Sequence, residues 1–89
     1  GEELDAIALA YVDVQYLVAD YQERFGQIQD QQRAVEVQQE LAAEADSAIE
    51  ARGVEPERYG QVIQAANVDP ELLQRLTSRI EAIVQTEDT

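Results

Sequence analysis

Apolar residues recur along the first third of the chain at alternating intervals of three and four. They are Leu4, Ile7, Tyr11, Val14, Val18, Tyr21, Phe25 and Ile28. This spacing sustains a coiled-coil-like seam over more than three heptads and predicts a helix over about 3–27. Gly26 weakens its end. Leu9, Val12 and Tyr16 form a second apolar strip roughly opposite the seam at about 100° per residue. A helix apolar on two sides is expected to sit centrally, with neighbours on both. A second copy of the chain is the alternative cover for the Leu9, Val12 and Tyr16 strip.

A second helix is predicted over about 31–52, with Asp30 as its N-cap. Its single apolar stripe, Ala34, Val35, Leu41, Ala42, Ala45, Ala48 and Ile49, is poor in bulk. The short link makes these two helices an antiparallel hairpin. Gly53 stands where a helix ends, and Pro56 stands at the first position of a third helix over about 56–67. Asp69-Pro70 opens a fourth over about 70–84, carrying Leu72, Leu73, Leu76, Ile80, Ile83 and Val84. Val54 with Tyr59, and Val68 with Leu73, have the spacing of hydrophobic staples. The expected fold is all-α. It is one domain, 1–89, built as a small helical bundle from a long antiparallel hairpin and two short helices. Residues 1–2 and 85–89 are expected to fray.

Charge changes the picture of the surface. The chain has 19 acidic and 6 basic residues, a formal net charge of −13, and all six basic residues are Arg. Such a surface repels nucleic acid and anionic lipid and excludes both as partners. Two readings of the acidity remain: a solvated, solubilising surface, or a site for cations or a basic protein. No apolar run reaches the length of a membrane span, so no membrane insertion is expected. With no Cys there is no disulfide, which fits the cytosol and also an exported protein that folds without disulfides.

Three segments carry a family resemblance: Ala10-Tyr11-Val12-Asp13-Val14-Gln15, Gly53-Val54-Glu55-Pro56-Glu57-Arg58-Tyr59 and Ala65-Ala66-Asn67-Val68-Asp69-Pro70-Glu71-Leu72. Together they resemble the bacterial family catalogued as domain of unknown function 4168, over about Leu4 to Ile80. The resemblance implies a helical fold and, since members often carry export signals, a periplasmic or secreted location. Gly1 is not an initiator Met, which is compatible with a leader having been removed. Two positions depart from the family pattern. Glu55 stands where the family tends to have Ser or Thr, and Gly60 where it tends to have a polar helix former. Gly inside a helix costs about 1 kcal/mol relative to Ala, so the third helix is expected to be the weakest.

Chemistry is sparse. There is no His and no Lys to activate Ser47, Ser78, Thr77, Thr86 or Thr89, and there is no phosphate loop or dinucleotide fingerprint. Glu36, Glu40 and Glu44 line up at i, i+4 and i+8 and are the one candidate row for Ca²⁺ or Mg²⁺. The row lacks the loop carbonyls and turn glycine of a calcium site, so a solvated face is the expected reading. Tyr11, Tyr21 and Phe25 fall on the core seam rather than in a stacking site, with Tyr hydroxyls at the core's edge. Arg75 and Arg79 are expected to neutralise Glu71 and nearby carboxylates. No enzyme activity and no cofactor are expected. The leading expectation is a non-enzymatic structural or protein-interaction module, exported, with a protein or a second copy as partner. The alternative is a weak binder of divalent cations or small ligands in the cell envelope.

Self-repulsion at a net charge of −13 is screened within about 10 Å at 0.1 M salt. The thermal midpoint should therefore rise between low and high NaCl; an unchanged or lower midpoint would contradict this account.

Overall fold

The computed structural model describes residues 2–87, with side chains through Thr86. Among these residues every regular element is a helix: α1 Glu2–Phe25, α2 Gln31–Ala51, α3 Pro56–Val68 and α4 Pro70–Glu87. The all-α bundle with a long hairpin is as the periodicity predicts. The ends differ by a residue or two, except in α4. That helix continues over residues 85–87, where fraying was expected, because no Gly or Pro interrupts it there. Residues 1, 88 and 89 lie outside the described range.

α1 winds down rather than stopping abruptly. Gly26 N–H still donates to Gln22 O at 3.1 Å, and Gln27 and Ile28 then donate to Arg24 and Phe25 carbonyls in tighter three-residue turns. Asp30 caps α2, its Oδ1 accepting from Gln32 N–H at 3.0 Å. α2 ends in a Schellman turn: Gly53 N–H donates to Glu50 O at 2.9 Å and Val54 N–H to Ile49 O at 3.3 Å. Gly53 pays for that turn with a φ of +82°, which a side chain tolerates poorly. A single residue, Asp69, joins α3 to α4. Pro70 holds it extended, and its Oδ1 accepts from Glu71 N–H at 3.1 Å and Leu72 N–H at 3.3 Å. Glu55, in the same position before α3, makes no side-chain cap bond.

α1 is the centre of the assembly, with α2 against one side and α4 against the other. Antiparallel pairing with α2 is marked by two cross-links: Tyr21 with Glu44, and Asp13 with Arg52. α4 runs the same way as α1, since Leu4 shares a cleft with Leu72 and Tyr16 shares one with Val84. α3 fills the corner between α2 and α4.

The core lies around the first half of α1. Ile7, Ala8 and Ala10 are almost wholly withdrawn from water, and Ile49, Val54, Val62, Ala66 and Leu76 close over them. Ala8 and Ala10, which seam counting overlooks, let the flanking helices approach closely. Burial of a side chain as large as Ile7 contributes about 1.5–3 kcal/mol. Outside that cluster, Tyr21 near the end of α1 and Val37 near the start of α2 are also buried.

Three expectations about apolar positions need correction. Val35 is exposed and Ala42 faces water, while Val37 turns inward, because α2 meets the α1 seam along 34, 37, 41, 45 and 48. The staple at α3 forms, with Val54 buried and Tyr59 packed on the core. The staple at α4 leaves Val68 83% exposed, because Asp69 turns the chain away from the core at that point.

The caps and glycines give opposite mutational signs. Asp69→Ala should destabilise by about 1 kcal/mol, within the range for cap loss. Gly60 lies inside α3 with nothing within 4 Å of an added Cβ, so Gly60→Ala should stabilise by about 0.5–1 kcal/mol. Chemical denaturation of both variants checks the pair; a Gly60→Ala chain less stable than the parent would show that α3 is not limited by backbone entropy.

Candidate functional site

The charged side chains carry most of the polar chemistry available. All six arginines are in ion pairs. Arg24 pairs with Asp20, Arg33 with Glu36 and Glu40, and Arg75 with Glu71 along single helices. The other three cross between helices, and all three end on α1. Arg52 at the end of α2 makes a two-pronged contact with Asp13, at 2.7 and 3.1 Å. Arg58 on α3 donates twice to Glu3 Oε1, at 3.0 and 2.7 Å, and Arg79 on α4 pairs with Asp5. Arg79 therefore neutralises a carboxylate far away in sequence, while Arg75 takes Glu71 as expected.

The row proposed for a cation is divided among other partners. Glu36 and Glu40 share Arg33, at 3.4 and 3.9 Å, and Glu44 accepts a hydrogen bond from the Tyr21 hydroxyl at 2.6 Å. Among the described residues no group of three or more carboxylates is placed to hold a metal ion, and no charged side chain is buried. A cleft of about 490 Å³ lies at the α2–α3 turn, lined by residues that include Glu2, Glu3, Glu55 and Arg58, whose guanidinium is already engaged by Glu3.

Tyr21 is held on every side. Its ring is buried, the Arg24 guanidinium lies over it at 4.5 Å from the centroid, and its hydroxyl reaches the helix edge at Glu44. The hydrogen bond to the Glu44 carboxylate, with burial, pushes its pKa above the ordinary tyrosine value. Burial does the same for Tyr59.

The strip Leu9, Val12 and Tyr16 is divided by α4. Leu9 is half-buried, Val12 is buried at 5% exposure, and Tyr16 stands at 59%. Beyond Val12 the two helices part, leaving an open cleft of about 330 Å³ lined by Tyr11, Val12, Gln15, Tyr16, Ile80 and Val84. A smaller cleft, about 150 Å³, shares Tyr11 and Ile80 and continues past Leu73, Thr77 and Asn67. No charged residue lines either one. Tyr16, Leu73 and Val84 are exposed large apolar residues along this face, and Val68 stands at the turn at its end.

Leu73, Ile80 and Val84 were among the apolar positions predicted for α4, but the pattern was read as one face and did not separate them from the core-facing row. The signal was present, since Leu72, Leu76 and Ile83 fall on one row of α4 and Leu73, Ile80 and Val84 on another, about 80° round. One neighbouring helix cannot cover both rows.

The family model described as Domain of unknown function (DUF4168) matches residues 1–76. The chain belongs to this family. No curated protein and no solved structure matches it. The match ends at Leu76, ahead of Ile80 and Val84, so the apolar face combines α1 positions inside the matched range with α4 positions beyond it.

The tyrosines generate a pH dependence. A folded-state pKa raised above the unfolded value of about 10 gives stability that is complete below that pH. It is lost as pH rises through the folded value. Tyr21→Phe should remove part of the late alkaline absorbance transition and flatten the fall in Tm above about pH 10. If the native chain and the urea-unfolded chain titrate alike, the hydroxyls are not held as described.

Proposed function

We propose that this member of the DUF4168 family is a non-enzymatic protein-interaction module that works outside the cytoplasm. The observation that carries the reading is the uncharged apolar face between α1 and α4, in a chain of net charge −13. Apolar patches rimmed by polar residues mark binding surfaces. The chemistry available points the same way. A general base or nucleophile needs a perturbed, positioned group, and the charged side chains described here sit in water, six of the carboxylates and one more across from Arg33 taken up by arginines. The location rests on the export signals common in the resembling family. The cation-binding alternative keeps only the overall acidity as support, because Glu36, Glu40 and Glu44 are engaged by Arg33 and Tyr21.

A photo-crosslinking residue placed at Tyr16 in the full-length gene product, expressed in its own host, tests this. A protein adduct from position 16, and none from position 35 on the far side of α2, is expected. Absence of any protein adduct at position 16 would overturn the interaction reading. Fractionation of the same cells checks location; recovery with cytosolic proteins alone would remove the exported part.

A further inference from the structure

We infer that the occupant of the α1–α4 face is a second copy of this chain, joined through the same face on both copies. The inference rests on the interaction reading above and narrows it to one partner.

The argument is one of charge placement. Nineteen of the 89 residues are acidic, yet neither cleft on this face has a charged lining residue. The other clefts all carry charge: Glu2, Glu3, Glu55 and Arg58 in one, Glu71, Arg75 and Arg79 in another, and Glu3, Arg58 and Arg75 in a third. A cationic partner would be recognised by carboxylates set into or against its groove. Self-association through a two-fold contact makes the opposite demand. Each residue near the axis faces its own equivalent, so a carboxylate there meets a carboxylate. A cleft face free of charge is therefore a surface on which two such acidic chains can meet. Tyr11, Gln15, Asn67 and Thr77 supply its polarity without charge, and Tyr16, Leu73 and Val84 supply exposed apolar area.

The rim sets the conditions. Asp20, one turn beyond Tyr16 and paired with Arg24, and Glu81, next to Ile80, lie beside the face along the two helices, while Asp13 is turned to Arg52. Together with the net charge they oppose the approach of a second copy at low ionic strength. Salt screens that opposition, and apolar contact is not weakened by it. Each copy keeps its net charge of −13, so the association is weak and visible only at high protein concentration.

Sedimentation of the full chain from about 10 µM to about 1 mM, in low and in high NaCl, reads this directly. The 9.9 kDa monomer should shift toward twice that mass as concentration rises, several-fold more readily in high salt. Tyr16→Gln with Val84→Gln, both at exposed positions, should hold the chain monomeric across the range with an unchanged helical circular dichroism spectrum. Val35→Gln, on α2, should associate as the parent does. A parent chain monomeric at the highest concentration in high salt overturns the inference. So does a dimer that survives the double substitution, or one that loosens as salt is added. If crosslinks from position 16 reach only other proteins, the interaction reading stands and self-association fails.

Discussion

Everything in this structure depends on covering the first half of α1 from two sides. Ile7, Ala8 and Ala10 are almost wholly removed from water, and no single neighbour could do that for residues spread round a helix. α2 supplies one wall through Ile49, and α4 supplies the other through Leu76. The remaining geometry follows from bringing α4 to that position. Gly53 turns the chain sharply after α2, α3 spans the corner, and Asp69 with Pro70 redirects it so that α4 can run beside α1. The small size of Ala8 and Ala10 is part of the solution, since it lets both walls close in. It also keeps the core thin, which suits a chain of 89 residues without disulfides.

Electrostatics reinforce the same centre. One arginine from each of α2, α3 and α4 reaches a carboxylate on α1: Arg52 to Asp13, Arg58 to Glu3 and Arg79 to Asp5. Exposed pairs of this kind are worth about 0–1 kcal/mol each. Their contribution is better seen as register than as stability, because each fixes how one helix sits along α1. Arginine suits the role, its planar fork holding a carboxylate in a defined orientation as a lysine cannot. With all six arginines engaged, no basic side chain is left over to offset the remaining acidity.

The helices were legible because their signals are local. The three-four spacing of α1, the capping Asp30 and Asp69, and the glycine at 53 each act within a few residues, and each appears in the structure where the sequence placed it. The strip Leu9, Val12 and Tyr16 pointed to a second neighbour for α1, but only Val12 of it is buried, and the seam residues Leu4, Ile7 and Tyr11 themselves lie beside residues of α3 and α4. Long-range partners were not legible. Nothing near Asp5 announces Arg79, 74 positions away, and nothing near Tyr21 announces Glu44. The inward face of α2 was misjudged because its side chains are mostly alanines, whose spacing fits more than one stripe. Val35 and Val37 both fit some register, and only the partner seam decides between them. Tyr16 was placed on the right strip, but its exposure depends on where α4 parts from α1, which periodicity does not encode.

The apolar face and the acidic surface are two consequences of one composition. A chain with this much negative charge must keep its carboxylates apart, so they spread over the outer faces of all four helices. Apolar residues not needed by the thin core then collect where the helices diverge, between Tyr16 and Val84 and around Leu73. Had solubility been the only constraint, Gln15, Asn67 and Thr77 are the positions where further carboxylates would have fitted without disturbing the core, since all three are exposed. They are uncharged instead, in a chain where more than a quarter of the residues carry charge. An uncharged edge beside an apolar cleft costs solubility and adds nothing to packing, and it is this edge that the proposed interaction would use.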